Sequence, residues 1–260
     1  TPAEAGSRSV ELIVEIPQTD VKVKLTIIQS KYYKVGDLYV VNGEPLGLVY
    51  EISDGGAHGK VVALKAHRDL NLWYRTGLPY DEIHPEDPNN VGVIARSETD
   101  GQENMKAYKQ IPDWKTHYPV AAYVSDLNDE NGNPGWYLPA IKEVQAMVGW
   151  IDGEVLSPDG EAGQEPSEAM KEKRKAINQL IVDNGGNEFY FYGYDVSFII
   201  DQTNAWEADY FNRIYTSTET DYQVHPMVFK FYLRNGWWET MHVYGDLAGS
   251  YGEVRPFLAF

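Results

Sequence analysis

The chain has 260 residues, 39 acidic against 22 basic side chains, a formal net charge of −17 and no cysteine. That charge repels phosphate backbones and anionic lipid headgroups, which argues against nucleic acid as a partner, and the missing thiols exclude disulfides, thiol nucleophiles, cysteine-ligated zinc and iron–sulfur centres. A chain of this length buries about three quarters of its unfolded surface and needs no covalent staple; its longest apolar runs, such as VSFII at 196–200, fall far short of the ~20 residues that cross a bilayer, so no membrane insertion is expected.

The first residues, TPAEAGS, carry neither an initiator Met nor an apolar h-region. They read as the start of a mature or trimmed product, which allows export. ELIVEI (11–16) and VKVKLTII (21–28) flank Pro17-Gln18-Thr19-Asp20 and predict strand, turn, strand. This pair is either a hairpin on the main domain or the tail of an upstream one, and it sets residues 1–31 apart from a domain spanning 32–260. YYKVGDLYVV (32–41), GLVYEIS (47–53) and GKVVALK (59–65) follow, separated by Asn42-Gly43 and Asp54-Gly55-Gly56, the pattern of an antiparallel meander.

Helical spacing first appears in GQENMKAYKQI (101–111) and returns in PAIKEVQAMVGW (139–150). There Pro139 suits a first-turn position, and Ile141, Val144, Met147 and Val148 share a face. A third helix is predicted over 167–183, with Ser167 as cap, Ile177, Leu180 and Ile181 along one side, and Asn184-Gly185-Gly186 as its stop. The acidic stretch 152–166 reads as a solvated loop. From 189 onward strands return, and 20 of the 34 aromatic residues lie between 189 and 260, which makes that region either a packed aromatic core or a contact surface.

Motifs that carry chemistry are mostly absent. DGGAHGK (54–60) departs from a phosphate loop at its first position and at Val61, and reads as a hairpin turn. Asp126, Asn128 and Glu130 before Asn131-Gly132 alternate oxygen ligands as a calcium loop does, but the glycine comes one place late and no acidic residue closes the loop; an Asn/Gly-rich turn is the simpler reading. The six histidines, at 58, 67, 84, 117, 225 and 242, show no helical ligand spacing. His225 and His242, in the aromatic region, suit ligand contact better than the others. The acidic clusters at 81–87 and 152–168 read as solvated surface, and nothing selects a carboxylate pair of the kind a glycosidase uses. Neither a metal nor a cofactor is expected.

GWYLP (135–139) opening a helix, YTSTE (215–219) and VRPFLAF (254–260) occur in that order. Together they resemble the C-type lectin-like domains of the Lcl C-terminal type found in exported proteins of anaerobic gut bacteria, and YKVGDLY (33–39) and GGAHGKVVAL (55–64) look like the first strands of those domains. The resemblance implies an α+β fold with two or three helices on twisted antiparallel sheets, and a cell-surface or pilus-associated binding protein rather than an enzyme. Thr216 stands where that pattern has Trp, Tyr137 where it has Arg, and residues 187–214 look like an insertion. The calcium and sugar tripeptides of vertebrate-type lectins are missing, and the formylglycine-generating enzymes of this fold depend on cysteine. The resemblance also implies that Trp136, Leu138 and Pro139 seat a helix, while Ser217, Thr218, Glu219 and Arg255 tie the last strands together. Proteins diversified by retroelements use the same fold and vary the same region, and HVYGDLAGSYG (242–252) resembles such a run.

Loops on a rigid scaffold carry function. The candidate ligand-binding residues are therefore Tyr222, His225, Trp237, Trp238, Glu239, His242, Tyr244, Asp246 and Tyr251, for a glycan or protein ligand. Strand alternation groups Val228, Lys230, Tyr232 and Arg234 against Phe229, Phe231 and Leu233, and the second set reads as core. Trp237 and Trp238 cannot share a face, so one of them is available for contact. A carbohydrate-active hydrolase using a carboxylate pair, and a structural subunit in which residues 10–30 pair with a neighbour, are the alternatives.

Overall fold

The structure is a computed structural model that describes residues 8–15, 22–29, 32–67, 95–131, 135–152, 167–189, 213–219, 226–232, 237–242 and 253–260. Within them the chain is α+β: antiparallel sheets enclose a block of helices that runs from Gly101 to Asp183.

Strands β1 (Arg8–Glu15) and β2 (Lys22–Gln29) pair antiparallel over their whole length as a separate two-stranded sheet. The meander follows: β3 (Leu38–Val41), β4 (Glu44–Ser53) and β5 (His58–Ala63), each antiparallel to the next. Asn42 and Gly43 both take positive φ, 53° and 86°, as a two-residue hairpin turn demands. Within DGGAHGK, Asp54–Ala57 connects β4 to β5 with a 3-10 turn at Asp54–Gly56 and His58–Lys60 opens β5, in keeping with the hairpin reading. The predicted strand at 32–41 begins only at Leu38, because Gly36 at φ 93° and a Lys34–Asp37 turn bend the chain before it. Strand β9 (Phe257–Ala259) then pairs antiparallel with β5, completing the order β3-β4-β5-β9.

Five helices, rather than two or three, lie among the described residues: α1 (Gly101–Tyr108), α2 (Trp114–His117), α3 (Pro119–Asn131), α4 (Ile141–Asp152) and α5 (Glu168–Asp183). Helix α3 corrects the Asn/Gly-rich turn and calcium-loop readings over 126–131, and Gly132 lies outside the described residues. Asp126 and Asn128 sit on helical turns, where Asp126 pairs with Lys115 on α2. The helix forms because Pro119 suits its first position and Val120, Ala121 and Val124 bury one stripe. Helix α4 begins two residues after Pro139, which stays outside it; Ile141, Val144, Met147, Val148 and Ile151 are buried along its predicted face. Helix α5 starts as expected, with the Ser167 hydroxyl accepting from Met170 N, and Asn184 and Gly185 end it.

These helices and the four-stranded sheet share one core, which includes Leu48, Val61, Tyr108, Tyr118, Met147, Phe189 and Phe257. A third sheet, β6 (Arg213–Glu219), β7 (Pro226–Tyr232) and β8 (Trp237–His242), is antiparallel throughout and packs its β6 and β7 against α4.

Candidate functional site

Strand β6 is buried on both faces, since Ile214, Tyr215, Thr216, Ser217, Thr218 and Glu219 all lie inside. Its polar side chains are spent on the starts of two helices. Ser217 donates from N (2.7 Å) and Oγ (3.1 Å) to the Pro139 carbonyl, and its Oγ accepts from Asn104 Nδ2 at 3.0 Å. Thr218 Oγ1 accepts from Ile141 N at 3.0 Å, the cap that Ala140 has no side-chain oxygen to provide, and donates to Ser97 O at 3.0 Å. Glu219 pairs with Ala95 through its backbone N (2.9 Å) and its carboxylate (3.1 Å). These residues tie β6 to α1, α4 and the 95–98 segment, as buried polar groups must be tied to something.

Arg255 holds the second junction. It is fully buried, pairs with Glu253 at 2.5 Å and donates to the carbonyls of Ala63, Leu64, Asn187 and Glu188, with the Phe189 ring 4.0 Å from its guanidinium carbon. Glu253 O in turn accepts from Tyr215 N at 3.1 Å, and Ile214 forms a parallel bridge with Glu253. Glu219 and Glu253, the described residues on either side of segment 220–252, thus each belong to a set of buried polar ties beside the same strand. That segment contains every candidate ligand-binding residue.

Of those residues, Trp237, Trp238, Glu239 and His242 lie on β8; Tyr222, His225, Tyr244, Asp246 and Tyr251 lie outside the described residues. The β7–β8 register sets Tyr232 opposite Trp237, Phe231 opposite Trp238, Lys230 opposite Glu239 and Met227 opposite His242.

A buried carboxylate escaped the sequence reading. Glu143 accepts from Gly101 N at 3.0 Å, from Ala140 N at 2.9 Å and from the Tyr137 hydroxyl at 2.8 Å, and Lys60 Nζ lies 3.0 Å away. Burial first, and then Glu143, hold the Tyr137 hydroxyl far above the ordinary tyrosine range. With four donors the carboxylate is committed to capping α1 and α4, and only its place three residues after the α4 cap hinted at this. Three helix asparagines do related work by binding both the N–H and the C=O of one extended residue. Asn104 holds Ser97 (2.9 and 2.7 Å), Asn128 holds Trp136 (2.7 and 2.8 Å) and Asn178 holds Phe189 (2.8 and 2.7 Å). Among the histidines, His58 faces the Phe260 carbonyl at 3.3 Å and His67 stacks on Tyr123. Among the described residues there is no cluster of three metal-ligating side chains, and no helix is long and apolar enough to cross a membrane.

No protein-family profile, curated protein or solved structure matches the chain.

Proposed function

We propose that the protein is an exported binding module with a C-type lectin-like fold, acting at a cell surface or in a pilus-associated assembly, and that segment 220–252 recognises a glycan or protein ligand. The observation that supports this is the double clamp. Thr218 and Glu219 hold one end of the segment and Glu253 with Arg255 the other, all buried, so side chains between them change without moving the scaffold. The polar motif residues are consumed by structural bonds, which leaves recognition to the aromatic residues of the segment.

The test is a glycan array and a protein-ligand panel, each with and without chelator, comparing the unaltered chain with Trp238→Ala, Tyr244→Ala and Tyr251→Ala combined. The expected result is loss of binding with the thermal midpoint within a few degrees. Trp237→Ala, at the neighbouring position of the same strand, is measured separately to show which of the two tryptophans the ligand meets. Unfolding of the triple variant, or binding that persists in it, sinks this reading.

A second reading, a structural subunit assembling through its first hairpin, draws support from the β1–β2 register. Val10, Leu12 and Val14 stand opposite Ile27, Leu25 and Val23, three apolar cross-strand pairs in a row, and Val23 is 43% exposed. Self-assembly lost on Leu12→Lys would favour it.

A further inference from the structure

A cleft of about 330 Å³ opens between the β3–β4 hairpin and helix α3, and none of its lining residues comes from β6, β7 or β8. Its volume lies at the lower end of the ~300–1,000 Å³ of small-molecule sites. Trp136, Tyr123 and Leu46 give it an aromatic and aliphatic wall, while Asn42, Glu44 and Lys65 supply polar groups.

The wall is fixed in advance. The Asn128 amide clamps the Trp136 backbone, and Tyr123 stacks on His67 with ring centroids 4.5 Å apart. The polar groups are unspent. Asn42, Glu44 and Lys65 make no side-chain hydrogen bond or ion pair among the described residues, and the Trp136 indole N–H has no acceptor among them. Residues carrying one carboxylate, one ammonium and one amide thus line the cleft beside an apolar wall that includes the Trp136 side chain.

That combination selects for chemistry. A ligand with an apolar face and a hydroxyl-bearing edge satisfies donors and acceptors together, as a pyranose ring does. The net charge of −17 opposes an anionic ligand, and Lys65 opposes a cationic one. We propose that this cleft binds a neutral mono- or disaccharide, at a site separate from the 220–252 surface.

Saturation-transfer NMR with glucose, galactose, mannose, N-acetylglucosamine, lactose and cellobiose tests this on the whole chain. The variants are Asn42→Gly, which keeps the positive φ of the turn, Glu44→Gln and Lys65→Met, all at exposed positions, so the fold is retained and the thermal midpoint checks it. At least one sugar of the set is expected to bind at millimolar concentration, with affinity falling roughly five- to tenfold per substitution. Absence of transfer from all six sugars overturns the proposal. So does transfer that survives the three substitutions combined. Transfer that survives them but vanishes with Trp238→Ala, Tyr244→Ala and Tyr251→Ala assigns the sugar to segment 220–252, which supports the proposed function while refuting the cleft. Loss of 220–252 binding with cleft binding intact gives the opposite outcome.

Discussion

Replacing Arg255 by Met keeps most of the side-chain length and deletes one buried cation. The guanidinium spans Glu253 (2.5 Å), the carbonyls of Ala63 (3.1 Å), Leu64 (3.2 Å), Asn187 (2.7 Å) and Glu188 (3.3 Å), and the Phe189 ring. Leu64 O keeps the Asn187 N–H as a second donor at 2.9 Å, so the loss there is partial. Glu253, 2% exposed, loses that cation. Removing one partner of a buried ion pair costs about 3–5 kcal/mol, a large share of the ~5–15 kcal/mol that holds a domain together. At roughly 2–4 °C per kcal/mol for chains of this class, the melting midpoint falls by roughly 6–20 °C. Urea denaturation followed by circular dichroism gives the free energy, and calorimetry gives the midpoint. Adding Glu253→Gln to Arg255→Met removes the buried carboxylate as well and is expected to restore about 1 kcal/mol or more. Arg255→Lys, which keeps the charge but not the planar fork, falls between the parent and Arg255→Met. An Arg255→Met protein within about 1 kcal/mol of the parent, or a double variant less stable than the single one, would refute the role given to this pair.

Gly56→Ala places a methyl group 2.1 Å from Tyr33 O at φ 96°, so a loss of about 2 kcal/mol or more is expected, whereas Gly55→Asn, at φ 68° with open space around it, stays within about 1 kcal/mol of the parent by urea titration. Asn178→Leu removes the two bonds that hold the Phe189 N–H and C=O in the core and lowers stability by about 2–4 kcal/mol, with matching loss of hydrogen-exchange protection at Phe189. Burial first, then Tyr137, Glu143 and Glu51, push the Tyr50 hydroxyl well above its ordinary value, and Tyr137 is raised likewise. Both phenols are protonated in the folded chain at a pH where the unfolded chain ionises. Their stabilisation is complete below the unfolded value of about 10 and declines above it by about 1.4 kcal/mol per pH unit for each tyrosine. Denaturant titrations across the alkaline range measure that slope. Tyr50→Phe removes a buried hydroxyl without a partner among the described residues while keeping the ring edge-on to Phe257. Stability at neutral pH is expected unchanged or up to about 1 kcal/mol higher, with the alkaline slope halved; a clear loss at neutral pH would reveal a partner for that hydroxyl.

How much of this was legible in the sequence depended on the range of the interaction. Helix α5 and the face of α4 followed from spacing and capping, and the Asn42-Gly43 turn from local backbone preference. These are contests settled within a few residues. Helix α3 was lost because Asp126, Asn128 and Glu130 weigh toward a turn, while its buried stripe of Val120, Ala121 and Val124 is short and small. Glu143 and the asparagine clamps were invisible for a different reason. Gly101 and Glu143 are 42 positions apart, and Asn104 and Ser217 are 113 apart, so the residue type reveals a polar group but not its partner. The motif residues Ser217, Thr218, Glu219 and Arg255 were expected to be structural ties and are, and they bind helix starts, the end of β5 at Ala63 with Leu64, and the 187–188 segment. Of the candidate contact surface, four positions fall on β8 and five lie outside the described residues.

The pairing of β9 with β5 also bears on how the protein is made. The Arg255–Ala63 bond alone spans 192 positions, so on a ribosome the meander emerges long before its last strand does. Until then the outer edge of β5 displays unpaired amides and carbonyls, the feature that draws strands of other molecules into aggregates. Long-range closure of this kind also slows folding. Protection of that edge during synthesis is therefore expected to raise recombinant yield, by slower growth at low temperature or a co-expressed holdase, without any change to the folded molecule.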